Sequence, residues 1–275
     1  MPNKHPKLDP SLRLKAFKTT LLKSFLILLI FFMPFAAGAQ KTILHQTQLW
    51  YSYFNNLKFS DKYRLLTDVQ ERQFIEPVGA QGTFLFRSIL YRNLGGGWEV
   101  GAGVARFYQS PTKIPTTSTL VVPEWRPTVD FVNKSKSGAV NFSQRFRFEA
   151  RYFHNLDNTK TVLADGYTFG TFRCRYQFGA DYPIVKNAQK KPVLSIRAYD
   201  EVMVNFGSKI VANTFDQNRI YGGLMYTMNK NFTFELGYLN WFQETTDGKT
   251  YYNRNIIRFG INQTINLSKP KTTAK

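Results

Sequence analysis

Apolar and polar side chains alternate with period two along most of this chain, in runs of about ten residues or more. In Val140–Phe153 one face reads Val140, Phe142, Gln144, Phe146, Phe148, Ala150 and Tyr152. The other reads Asn141, Ser143, Arg145, Arg147, Glu149, Arg151 and Phe153. Farther on, Phe172, Cys174, Tyr176, Phe178, Ala180 and Tyr182 oppose Thr171, Arg173, Arg175, Gln177, Gly179 and Asp181. Phe232, Phe234, Leu236 and Tyr238 oppose Thr233, Glu235 and Gly237. Ile257, Phe259 and Ile261 oppose Arg258, Gly260 and Asn262. Period two is the side-chain repeat of a β-strand. Two faces this unlike need two different media.

A soluble β-sandwich also alternates, but its strands average about 5–6 residues. Here the runs reach about 12, enough for a tilted strand to cross a bilayer, which takes about 9–11. Several arginines per strand would be prohibitive in a dry core. They are tolerable in a wet lumen, so the apolar faces are expected to meet lipid and the arginine faces to point inward. The expected fold is all-β, an antiparallel up-and-down transmembrane β-barrel. A soluble periplasmic sandwich is the alternative.

Strand candidates are 43–54, 62–74, 82–94, 97–109, 121–133, 139–153, 167–182, 193–206, 216–228, 232–243 and 253–267. Short turns at Gly95-Gly96, Lys134–Gly138 and Asn229–Asn231 alternate with longer polar connections at 110–120, 154–166, 207–215 and 244–252, as at the two rims of a barrel. That places the C-terminus on the short-turn side. Eleven candidates sit badly with the even count usual for single-chain bacterial barrels, so 10 or 12 strands are expected, with the discrepancy before residue 82. Asp200 falls on the apolar face of 193–206 and suggests a bulge or a register error there. Trp50, Tyr51, Tyr53, Trp98, Tyr108, Trp125, Tyr152, Tyr182, Trp241, Tyr251 and Tyr252 lie near strand ends and suit interface girdles.

The N-terminus reads as a targeting segment. Lys4, Lys7, Arg13, Lys15, Lys18 and Lys23 precede the apolar run Phe25–Phe35, and Ala37-Gly38-Ala39 supplies a small-residue cleavage site. Eleven apolar residues are too few to span about 30 Å of hydrocarbon. Residues 1–39 are therefore expected to be a cleaved signal peptide, 40–267 the barrel, and 268–275 a short disordered basic tail. Losing residues 1–39 removes six bases and one acid and lowers the net charge from +19 to +14. Gln40 rather than Cys follows the site, so no lipoprotein attachment is expected.

Chemistry is sparse. A single cysteine, Cys174, excludes a disulfide framework and a cysteine-based zinc site. Three scattered histidines argue against a metal centre. Gly95-Gly96-Gly97, Gly101 and Gly103 make no phosphate loop, because no helix and no Lys-Ser/Thr follow. They read as a tight turn and close lumen packing. Nucleophile motifs are absent. His45 and His154 are the only candidates for a lipid-hydrolysing triad, and a rim histidine near Asp157 and Asp165 is more often just solvated.

The inward faces carry the sharpest signal: Arg145, Arg147, Arg151, Arg173, Arg175, Arg197, Arg219 and Arg258, with Glu149, Glu201 and Glu235 as charge partners. Arginine binds carboxylate and phosphate through two parallel bonds. These residues could line an anion-attracting lumen or form an Arg–Glu lattice that plugs a narrow bore. The basic balance does not point to nucleic acid, because bases and aromatics occupy opposite strand faces and make no joint stacking surface.

Several segments resemble one family. Trp50, Phe59-Ser60-Asp61-Lys62, Arg72, Asp200-Glu201-Val202, Phe215–Leu224, Asn229-Lys230-Asn231-Phe232 and Glu235-Leu236-Gly237-Tyr238 are similar to the outer-membrane β-barrels of domain of unknown function 2490, over roughly 46–267. The resemblance implies a barrel in the outer membrane of a Gram-negative bacterium. It implies no reaction, ligand or catalytic residue. The leading expectation is a non-catalytic outer-membrane barrel whose arginine-rich lumen binds or passes small anionic solutes, with no cofactor. Its expected partners are outer-membrane lipid, lipopolysaccharide and the barrel-assembly machinery. A sealed barrel acting through its extracellular loops, and an outer-membrane lipid-modifying hydrolase, are the alternatives.

Overall fold

The computed structural model describes residues 41–111, 118–210 and 212–268. The expected signal peptide and all but Ser268 of the expected tail lie outside them. Eleven strands follow in chain order: β1 (Thr42–Lys58), β2 (Tyr63–Phe74), β3 (Gln81–Gly95), β4 (Trp98–Gln109), β5 (Val122–Ser137), β6 (Val140–Leu156), β7 (Leu163–Lys186), β8 (Pro192–Phe206), β9 (Phe215–Thr227), β10 (Phe232–Glu244) and β11 (Thr250–Asn266). Each pairs with its sequence neighbours, and β1 closes on β11. No helix occurs among the described residues.

The count corrects the expectation of 10 or 12 strands, and β1 is a full strand of 17 residues. Even parity follows only if closure must be antiparallel. Here β1 and β11 run parallel, from Thr42↔Thr250 to Lys58↔Asn266. A parallel ladder satisfies the same backbone groups with slanted bonds. Thr42 N–H donates to the Lys249 carbonyl at 3.0 Å at one end of this seam, and Leu267 N–H to the Lys58 carbonyl at 2.8 Å at the other. Ten antiparallel pairings make up the rest of the wall.

One rim carries the connections 59–62, 96–97, 138–139, 187–191 and 228–231, and is called here the turn rim. The loop rim carries 75–80, 110–121, 157–162, 207–214 and 245–249. Gly95, Gly96 and Gly97 have φ of 88°, 58° and 82°, which side-chain-bearing residues rarely adopt, so glycine sets the tight β3–β4 turn. Followed across hydrogen-bonded partners, the row from Lys58 passes Arg64, Tyr91, Gly101, Asp130, Arg147, Arg175, Met203, Gln217, Gln243 and Tyr252, and returns to Leu44. A stagger of 14 residues over eleven strands tilts them by about 40°. At that tilt a 12-residue strand such as β2 rises about 30 Å.

Face assignment follows the alternation. Phe86, Leu90, Val129, Phe131, Phe146, Phe148, Phe178, Leu224, Leu236, Ile257 and Phe259 are exposed on the outer wall. Inside, Gly101 and Gly103 let Tyr91 and Ile89 lie against β4: a Cβ on Gly103 would come within 2.0 Å of the Ser88 carbonyl oxygen. Trp98, Tyr108, Trp125 and Tyr182 are exposed outward, but Trp50 and Trp241 are buried and pack on each other inside, ring centroids 5.6 Å apart. They are therefore lumen residues, not girdle residues. Asp200 sits in an unbroken register on both sides and its carboxylate accepts from Asn218 at 2.5 Å on the outer wall, so no bulge lies there.

The β6–β7 hairpin is longer than its sequence pattern indicates. It continues past the expected strand ends through the His154↔Tyr167 and Leu156↔Leu163 pairs. Its loop, 157–162, is held by Asp157, whose carboxylate accepts from Thr161 N–H at 2.8 Å, Val162 N–H at 3.0 Å and the Thr159 hydroxyl. The Thr159 bond, then the backbone bonds, hold this exposed carboxyl down to about 2 from its ordinary 3.8. A lowered folded value stabilises the loop at any pH above the ordinary value, and that contribution is lost as pH falls through about 2. In an NMR titration the loop amides of 159–162 should shift with a midpoint near 2, and Asp157→Ala should remove that step. A midpoint near 3.8 would show that these bonds do not form. Asp247 is held well below the usual carboxylate range in loop 245–249 in the same way, chiefly by the Thr250 N–H.

Candidate functional site

Because every second residue of every strand faces the axis, charged residues an even number of positions apart on one strand stack along the bore. In β5 these are Glu124, Arg126 and Asp130; in β6, Arg145, Arg147, Glu149 and Arg151; in β7, Arg173, Arg175 and Asp181. The β2 series Asp68, Gln70, Arg72 completes the wall opposite.

Towards the loop rim the bore is filled. Glu124, fully buried, accepts from Arg126 Nε at 2.5 Å and Arg151 Nε at 2.6 Å. The Arg126 guanidinium also lies 3.6 Å from the Phe107 ring centroid. Arg173 pairs with Asp216 at 3.0 Å. At mid-height Arg175 bridges Glu149 and Glu201, each at 2.9 Å, and Arg145 reaches Glu201 at 2.7 Å. Arg147 binds Asp130 through two bonds of 2.7 Å, and the Tyr91 hydroxyl donates to the same carboxylate at 2.5 Å. Paired and hydrogen-bonded in this way, buried charges are tolerated; unpaired they are not.

Towards the turn rim the lattice opens into a vestibule of about 720 Å³. Its mouth includes Lys134, Lys136, Asn141 and Asp181, and its floor Trp50, Arg72, Arg175, Glu201 and Arg219. Glu124, Arg126, Glu149, Arg151, Arg173 and Asp216 lie beyond the floor and do not line it. Ten lysines or arginines line the space against four aspartates or glutamates, so it is strongly basic.

All eight arginines singled out from the sequence lie inside the barrel. Arg145, Arg175, Arg197, Arg219 and Arg258 line the vestibule. Arg147, Arg151 and Arg173 do not; they are spent on buried carboxylates in the plug. Of the acidic partners, Glu201 and Glu235 line the vestibule and Glu149 is buried in the plug. Glu235 holds Arg197 at 3.4 Å and Arg258 at 3.5 Å. Arg64, Arg87 and Arg126, and the acids Asp68, Glu124, Asp130 and Asp216, were not singled out. The same parity rule applied to 62–74, 82–94 and 121–133 would have found most of them.

The two histidine candidates lie apart, on β1 and on β6. His45 is exposed on β1. The His154 Nδ1 lies 3.1 Å from the Asn155 carbonyl oxygen, and its ring packs edge-on to Tyr167 at 4.6 Å.

A family profile described as "Protein of unknown function (DUF2490)" matches residues 47–252, from within β1 to the start of β11. The chain belongs to the DUF2490 family. The resemblance expected over 46–267 is thus shown over nearly all of this DUF2490 barrel. No curated protein matches it. Among solved structures, this DUF2490 chain is similar to a NanC porin at 11% identity and a TM-score of 0.47, covering 79% of this chain and 99% of that one. It is also similar to outer-membrane expressed OmpT of Vibrio cholerae at 9% identity and a TM-score of 0.35, covering 70% of this chain and 59% of that one.

Proposed function

We propose that this protein is a non-catalytic outer-membrane β-barrel of a Gram-negative bacterium, exported by its N-terminal leader, whose basic vestibule binds small anionic solutes. The outer wall supports the membrane reading. Exposed Phe, Leu, Ile and Val side chains on strand after strand of a closed wall would drive association in water and are matched by hydrocarbon. Strand rise of about 30 Å suits a band of about 25 Å. The observation that carries the binding reading is the excess of ten bases over four acids in a space of about 720 Å³. That volume falls within the range of small-ligand sites, about 300–1,000 Å³. The plug beyond the floor supports binding rather than free passage.

Two measurements test this. Carbonate extraction should leave the protein in the membrane fraction, and release without detergent would overturn the membrane reading. The refolded mature chain should insert into a planar bilayer in KCl without discrete conductance steps, while multivalent anions bind it in a salt-sensitive manner. Anion-selective steps would mean that the lattice opens and that the lumen passes solutes. Absence of any anion binding would overturn the vestibule reading.

A further inference from the structure

The vestibule floor holds two arginines without a close acid. Arg126, Arg145, Arg147, Arg151, Arg173, Arg175 and Arg197 each have a carboxylate oxygen within 3.0 Å. Among the described residues Arg72 bonds the neutral Gln70 side chain, at 2.8 Å, and lies 3.9 Å over the Trp50 ring. The carboxylate of Asp68 is already held by Arg87 at 3.4 Å and Gln70 at 2.9 Å. The carboxylate nearest Arg219 is Glu201, at 3.9 Å, and it is taken by Arg175 and Arg145. Arg219 lies 5.4 Å from the same Trp50 ring, so both guanidiniums crowd one indole. Arg72 is only 6% exposed, and the Nε atoms of both arginines are buried without a hydrogen-bond partner. Both side chains nonetheless line the cavity.

We propose that this floor is a binding site for the phosphate monoester group of a small solute, seated between Arg72 and Arg219 beside Trp50. The assignment rests on the anion-binding vestibule and names its ligand class. Two uncompensated guanidiniums match a dianion, whereas a monocarboxylate neutralises only one. A phosphate monoester presents three acceptor oxygens at close to two negative charges, and the planar fork of arginine meets such oxygens in pairs. Each guanidinium keeps unmet donor capacity, and both side chains line the cavity where such a group would sit. Stacking on Trp50 fixes the plane of Arg72, so its fork is already oriented.

The test uses the full mature chain refolded in detergent, with Trp98→Phe and Trp125→Phe on the outer wall. The remaining fluorescence then comes from Trp50 and Trp241. Glycerol 3-phosphate, inorganic phosphate and acetate are titrated at constant ionic strength, reading emission and heat together. Both phosphates should bind saturably, and acetate at least about tenfold more weakly. Arg72→Gln and Arg219→Gln should each weaken phosphate binding by about tenfold or more, the size expected for losing a charged hydrogen bond. If Arg72→Gln does not refold to a heat-modifiable barrel, Arg219→Gln and the phosphate-to-acetate ratio of the parent decide. Phosphate binding no tighter than acetate overturns the site. So does phosphate binding unchanged in Arg219→Gln but weakened in Arg258→Gln, which leaves the basic vestibule standing. No binding of any anion overturns both.

Discussion

Asp130→Ala is expected to destabilise the barrel by about 3–5 kcal/mol, the cost of leaving a buried charge without its partner. Asp130 is fully buried and Arg147 nearly so, at 0% and 1% side-chain exposure. Two bonds of 2.7 Å join them, and the Tyr91 hydroxyl donates to the same carboxylate. Removing the acid strands a guanidinium and a hydroxyl together. Replacing both charged partners, in Asp130→Leu with Arg147→Met, should recover most of the loss, because a buried pair contributes little over apolar residues of similar size. Urea unfolding of the refolded protein, followed by gel mobility and tryptophan emission, measures both. A loss under about 1 kcal/mol for Asp130→Ala would show that water reaches the plug and that the bore is open at this height.

If the outer wall meets hydrocarbon, as proposed, Phe146→Arg should cost about 2–4 kcal/mol and impair assembly, because it would set a charge on that wall near mid-height. Phe146 is 39% exposed there and packs against Tyr176, with ring centroids 4.7 Å apart. Gln177→Arg, one residue along from Tyr176 and lining the vestibule, should be tolerated. The two substitutions introduce the same side chain on opposite sides of one wall. Comparing their folded yields in lipid vesicles therefore isolates the medium that each face meets. Equal tolerance would mean that the outer wall does not face hydrocarbon.

Alternation alone placed the strands and their faces, because a one-residue error would have turned every side chain of a strand to the other medium. Phe146, Phe178 and Phe259 face out, and Arg145, Arg175 and Arg258 face in, as the pattern requires. Closure was not legible. Strand number follows from how β1 meets β11, and nothing local to either strand distinguishes a parallel ladder from an antiparallel one. The fate of each arginine was equally hidden. Arg147 and Arg219 look alike in sequence, both inward on alternating strands. Only the register across β5 and β6 sets Asp130 directly opposite Arg147, while Arg219 comes to share the Trp50 indole. Trp50 and Trp241 suit a girdle by sequence, being aromatic and near strand ends. Their parity placed them inside, and parity decided.

The parallel seam also constrains the order of assembly. Every other joint in the wall links strands that are consecutive in the chain, so each can zip as a hairpin soon after its second strand exists. The seam joins the first strand to the last, residues about two hundred positions apart, along 17 paired positions. Until β11 arrives, the outer edge of β1 offers a row of unsatisfied amides and carbonyls, an open template for any other strand. Closure is therefore the slowest and most exposed contact to form, since its loop entropy has to be met before any of its bonds repay it. The edge of β1 is where a partly built barrel is most open to pairing with a strand that is not its own.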